Sequence, residues 1–219
     1  VKLLKTQLNN NNLIQKEELL LSSSFFYKKW RIVLKNKEQS QELIKTLLEN
    51  IGEDTSRAGL LDTPKRCVKM YEELLSKTNV DPKEEINTFF ESDNDEPILV
   101  KDIQFYSLCE HHMLPFYGVC HIAYVPDNKK ITGLSKLARL VESASRRLQI
   151  QEDMTLMLVN AIEEQLQPKG VYVIIEAEHM CMAMRGIKKI GSKTVTSKKT
   201  GIFLEDTELV KDIQYKIKL

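Results

Sequence analysis

Cys109-Glu110-His111-His112 and the pair His179 and Cys181, about seventy residues further on, gather three of the chain's four histidines and two of its four cysteines. Thiolate and imidazole are preferred zinc donors. A Cys-x-x-His with one distant cysteine supplies three of them, leaving the fourth position of a catalytic zinc open for water. The spacing therefore points to a zinc hydrolase. Cys120 or His121 could instead close the coordination sphere and make the metal structural. A satisfied place within a strand is the simpler reading of His121, and Cys67 and Cys120 read as buried free thiols.

The same stretch suggests a shape for the substrate. If residues 179 to 185 are extended, His179, Cys181 and Arg185 share one face and bring a proton-transfer group, a metal ligand and an anion clamp together. At ~3.3 Å per residue Arg185 then lies roughly 13 Å from Cys181, the length scale of a nucleoside triphosphate. Lys136 and Arg139, three apart on one helix face, supply further positive charge, and the planar arginine fork suits phosphate oxygens. A metal at one end and bases at the other imply a nucleotide-like substrate. No Rossmann or P-loop glycine motif is present, so side chains must hold the phosphates.

The elements that must position these groups follow from composition and periodicity. With 219 residues and 42% hydrophobic content, the chain can bury a core as one domain with an appendage. Lys+Arg 32 against Asp+Glu 31 leaves a net charge of +1, which excludes a globally basic nucleic-acid or membrane-surface binder. No apolar run is long enough to span a bilayer. Four cysteines make no disulfide framework, and Cys109 and Cys181, placed among histidines, fit reduced metal-ligand thiols in a cytoplasmic protein. Residues 1–37, with Asn9-Asn10-Asn11-Asn12 and Ser22-Ser23-Ser24, read as a poorly ordered leader.

Residues 38–96 carry two helices read as a hairpin. The first has the stripe Leu43, Ile44, Leu47, Leu48, Ile51 and ends at Gly52; the second starts with Thr63 as N-cap and Pro64 at its first position. Strands are expected over residues 98–107 and 119–125, with a turn at Asp127-Asn128-Lys129-Lys130. Two helices follow. Ser135 caps the first, whose apolar face is Leu137, Leu140, Val141, Ala144 and Leu148; the second carries Met154, Leu158, Ile162 and Leu166. Residues 171–184 read as one long strand, and a closing strand includes Gly201-Ile202-Phe203. Segregated helices and strands argue an α+β fold with an antiparallel sheet in residues 97–219.

Five stretches together resemble GTP cyclohydrolase I: Gly59-Leu60-Leu61-Asp62-Thr63-Pro64-Lys65-Arg66, Phe105-Tyr106-Ser107-Leu108-Cys109-Glu110-His111-His112, Ile131-Thr132-Gly133-Leu134-Ser135-Lys136-Leu137-Ala138-Arg139, Arg147-Leu148-Gln149-Ile150-Gln151-Glu152 and His179-Met180-Cys181-Met182-Ala183-Met184-Arg185-Gly186. The resemblance runs from about Glu38 to Phe203 and does not reach the last dozen residues. It implies the tunnelling fold, an antiparallel sheet with two helices on one face, in a homodecamer with active sites shared between subunits. It also implies conversion of GTP to 7,8-dihydroneopterin triphosphate and formate, feeding folate or tetrahydrobiopterin synthesis. Zinc would be held by Cys109, His112 and Cys181 and would activate water for attack on C8 of guanine. His179 would protonate the departing nitrogen and His111 would move protons nearby. Glu152, helped by Gln151, would hold the guanine edge. Lys136, Arg139, Arg185 and a neighbouring subunit's copy of Arg66 would meet the triphosphate, with Ser135 near the ribose. Asp153 departs from the family, which usually has a basic residue there.

Two rivals remain at this level. A tunnelling-fold nitrile reductase acting on deazaguanine needs a cysteine nucleophile and no zinc. A zinc-stabilised regulator could bind a purine without turning it over, although it would have no need of two proton-transfer histidines.

Overall fold

The computed structural model describes residues 35–218, so nearly all of the expected leader lies outside the described residues. The described residues divide into two compact units, one ending at Val68 and the other starting at Lys69. Helix α1 (Lys37–Asn50) is capped by Asn36, whose side chain accepts from the Gln39 amide at 2.9 Å. Gly52, at φ +93°, ends it as expected, because the left-handed turn there suits a residue without Cβ. Helix α2 (Thr63–Leu74) begins at Thr63 itself, which therefore does not act as the cap; its hydroxyl donates to the Gly59 carbonyl at 3.4 Å.

The second unit is built on a sheet. Its strands are β1 (Phe89–Glu91), β2 (Ile98–Cys109), β3 (Pro115–Val125), β4 (Lys130–Thr132), β5 (Leu148–Gln149), β6 (Gly170–His179) and β7 (Lys193–Lys199). Five of them form one sheet in the order β5-β2-β3-β6-β7, while β1 pairs with β4. All pairings of the main sheet are antiparallel except the two-residue β5, which runs parallel to β2. Two long helices, α3 (Leu134–Ser145) and α4 (Gln151–Leu166), cover one face.

Alternation along the strands decides which side chains meet those helices. Phe105, Cys120, Ile122, Tyr124, Val173 and Ile175 point to α3 and α4, where Leu137, Leu140, Val141, Met154, Leu158 and Ile162 complete a fully buried core. Tyr172, Ala123 and Val125 point the other way, against Phe203, Val210 and Ile213. Those three belong to the short α6 (Ile202–Glu205) and to α7 (Thr207–Lys218). The expected closing strand at 201–203 is thus a helical turn, and the strand on the outer side of β6 is the more polar β7. β-branched Thr194, Val195 and Thr196 suit that pleated edge, where little burial is required. Leu148 is not on the α3 face; it lies in β5 and is exposed. Ser135 stands inside α3, whose N-cap is Gly133.

At Gly118, β3 and β6 leave no room for a side chain. A Cβ there would collide with the Glu176 carbonyl and the Ala177 backbone. Gly118→Ala is expected to cost at least about 2 kcal/mol, since backbone rather than a flexible side chain must yield. A thermal melt should show a midpoint lower by roughly 5 °C.

His121 has the structural place expected of it. It is buried on β3, and its Nδ1 accepts the Asp102 amide at 3.1 Å, where β2 is irregular and Asp102 has φ +59°. Burial lowers its pKa, with Asp102 and Glu176 opposing. The unfolded chain therefore binds a proton that the folded chain resists, and stability should fall as pH drops below the ordinary value of about 6.5. Melting at pH 7.5 and 5.5 checks this; His121→Asn, which keeps an acceptor but cannot titrate, should flatten the dependence.

Candidate metal centre and active site

Strand register brings the two halves of the cysteine-histidine cluster together. Cys109 ends β2 and is buried; β3 starts six residues later and pairs Phe116 with His179, the last residue of β6. The end of β6 therefore stands beside the β2-β3 turn. Within that turn the Cys109 amide donates to the Leu114 carbonyl at 2.9 Å, and the Met113 amide returns to the Cys109 carbonyl at 2.8 Å. Met113 has φ +54°, an uncommon conformation for a residue with a side chain, and the reversal carries His112 back over Cys109. From the other side β5 braces the strand end, its Gln149 carbonyl accepting from the Glu110 amide at 3.2 Å.

The chain departs from the extended reading after His179. Residues Met180–Ala183 form a helical turn, α5, so 171–184 is not one strand. Alternation no longer sets which side chains share a face. A helix rises only ~1.5 Å per residue against ~3.3 Å in a strand, so Arg185 is not 13 Å from Cys181. Its guanidinium donates to Nε2 of His112 at 2.7 Å, and its charge works to lower the Cys181 pKa. Arg185 and the metal-ligand cluster share one neighbourhood.

Cys109, His112 and Cys181 offer ligand atoms that all lie within 4.8 Å of one another, the arrangement a metal ion needs. Donors around a tetrahedral zinc with ~2.3 Å Zn–S bonds stand about 3.8 Å apart, so small side-chain adjustments suffice. Two thiols and an imidazole are a soft donor set suited to zinc. Burial, reinforced by the adjacent Cys109, pushes the Cys181 thiol up. Such a thiol gives up its proton readily only to a metal or a cation. Neither Cys120 nor His121 joins the cluster. Cys120 is fully buried in the core, where desolvation drives its pKa upward, whereas Cys67 is only partly buried.

His179 is held on two sides. The Phe116 ring stacks on it at 4.9 Å with an interplanar angle of 4°, and its Nε2 lies 2.8 Å from Gln151 Oε1. Burial lowers its pKa, with Glu152 opposing, which favours the neutral imidazole. His111 is exposed, with Nδ1 3.8 Å from Cys109 Sγ and Nε2 4.0 Å from Glu110.

The remaining expected residues occupy three places. Gln151 and Glu152 open α4; Glu152 is exposed, while Gln151 is buried and its amide is engaged within the fold. Ser135, Lys136 and Arg139 open α3, and Lys136 Nζ donates to Asn87 Oδ1 at 2.7 Å. Among the described residues no hydrogen bond or ion pair joins them to the cluster. Arg66 belongs to the other compact unit and pairs with Asp62 at 3.3 Å. Phe116 and Asn87 escaped the sequence reading, because nothing local marks a phenylalanine as the platform of a histidine 63 residues later or an asparagine as a lysine's partner.

The chain matches the family model described as GTP cyclohydrolase I over residues 40–218. The match continues beyond Phe203 and takes in α7, which the motif comparison had left unmatched. The chain is 55% identical over 180 residues to GTP cyclohydrolase 1 of Streptococcus thermophilus strain CNRZ 1066, covering 82% of this chain and 96% of that protein. Identity to GTP cyclohydrolase 1 of Bacillus subtilis strain 168 is 55% over 171 residues, covering 78% and 90%. With the enzyme of Streptococcus mutans serotype c it is 52% over 181 residues, covering 83% and 94%.

Proposed function

Because the chain belongs to the GTP cyclohydrolase I family, we propose that it hydrolyses GTP to 7,8-dihydroneopterin triphosphate and formate at the site formed by Cys109, His112 and Cys181. The observation that carries this reading is the convergence of those three donors beside His179 and Arg185. Zinc is the metal the donor set suits, and when bound it supplies a Lewis-acid centre that makes water acidic near neutral pH.

The chain's own residues do the rest. Glu152 accepts the two N–H groups on the guanine edge, a charge-assisted pairing that a neutral group could not match. Lys136, Arg139 and Arg185 hold the triphosphate, joined in a homodecamer by the neighbouring subunit's copy of Arg66, and Ser135 meets the ribose. His179 passes a proton to the nitrogen that leaves when the five-membered ring opens, and the exposed His111 exchanges protons with solvent. The four free cysteines agree with a cytoplasmic location, and no helix among the described residues is long and apolar enough to cross a membrane.

Purified protein should convert GTP to dihydroneopterin triphosphate and formate in equal amounts, lose that activity on chelation and regain it with added zinc. A folded, zinc-bound protein that releases no formate would instead be a purine-binding regulator.

A further inference from the structure

Gln151 is 1% exposed, and its carboxamide is satisfied at both ends. Nε2 lies 3.1 Å from the Ile175 carbonyl on β6, 3.1 Å from the Thr194 carbonyl on β7, and 3.0 Å from Thr196 Oγ1. Oε1 faces His179 Nε2 at 2.8 Å. Turning the amide over would set its oxygen against two carbonyl oxygens, three acceptors with no proton among them. The two main-chain carbonyls therefore fix which end of Gln151 faces the histidine. An amide oxygen can only accept, so His179 Nε2 carries a proton, and in the neutral ring Nδ1 holds the lone pair.

Hydroxyls support the same direction. Thr155 Oγ1 donates to the Gln151 carbonyl at 2.8 Å and so accepts from Thr196 Oγ1 at 2.7 Å, leaving the Thr196 oxygen free to accept from Gln151. With Phe116 stacked on the ring, both the plane and the tautomer of His179 are set. A contact to guanine would cost Gln151 one of these bonds.

The geometry points to Gln151 as the positioning residue that holds His179 in its Nε2–H tautomer, with β6 and the edge strand β7 fixing the amide, and not as a contact to the guanine base. The inference rests on the cyclohydrolase reading only for the use made of the histidine. Nδ1 is then the atom that takes up and returns the proton during ring opening.

The test uses full-length, zinc-loaded protein labelled with 15N-histidine, in which magic-angle-spinning NMR separates protonated from unprotonated ring nitrogens; a His179→Asn sample assigns the signal. The wild type should show His179 protonated at Nε2 alone. Gln151→Met, similar in volume but without an acceptor oxygen, should give mixed tautomers. Its kcat should fall by about tenfold or more, with KM for GTP and zinc content unchanged. Protonation at Nδ1 in the wild type, or a tautomer unaltered in Gln151→Met, overturns the proposal. So does a Gln151→Met enzyme that loses GTP affinity or guanine preference at unchanged kcat. The NMR result is read on resting protein, so it stands or falls separately from the reaction assignment.

Discussion

Cys181→Ser is expected to abolish metal retention and GTP turnover together while leaving the fold intact. Cys181 is one of three side chains whose ligand atoms converge within 4.8 Å, and serine cannot replace a thiolate because its hydroxyl stays protonated at neutral pH. Cys109 and His112 alone leave a two-donor site, which should bind zinc more than about a hundredfold more weakly. Turnover should drop below about 1% of the wild type, since activation of water depends on the ion. The sheet should survive, because Cys181 stands on the helical turn beyond the end of β6, outside the fully buried set that holds α3 and α4 to the strands. Metal analysis after dialysis, circular dichroism and formate release measure the three parts. A variant that keeps stoichiometric zinc and normal turnover would remove the proposed centre.

Glu152→Gln should separate recognition from metal chemistry. Glu152 lies in the first turn of α4, exposed, one residue from the buried Gln151. A carboxylate accepts from both N–H groups of the guanine edge, whereas an amide turns one of its two atoms into a donor facing a donor. A donor set against a donor loses one hydrogen bond and leaves the guanine N–H unpaired, so kcat/KM for GTP should fall by about 10²-fold or more. Zinc content should not change, because the residue has no part in the donor set. The preference for GTP over ATP should collapse with it; an unchanged preference would show that guanine is read elsewhere.

Much of this was legible residue by residue. The stripes of α1, α3 and α4 are local periodicities, and a helix with an apolar face has one way to bury it. The cysteine-histidine set could be read because so few residue types bind zinc that their concentration is informative. Gly52 was readable as a helix stop, since a left-handed residue is needed there. The errors fell where local pattern and tertiary demand diverge. Residues 201–203 look like a strand because they are apolar, yet they are apolar in order to cover Tyr172 and the far face of the sheet. Ser135 has the composition of a cap, but the backbone makes its turn two residues earlier, at Gly133.

The sequence by itself determined the metal donors, the presence of the histidines and cationic side chains, and the family, because these depend on residue type, spacing and motif. Only the tertiary structure decided how they are aimed. The end of β6 at His179 depends on where β3 stops offering hydrogen bonds, and that stop turns Arg185 back onto His112. Gln151 reaches His179, 28 residues away, and Thr196, 45 residues away, only through the β6-β7 register and the packing of α4 on the sheet. Side-chain period reports which face is buried and not which distant backbone lies opposite. The orientation of an amide or an imidazole is set by that distant backbone.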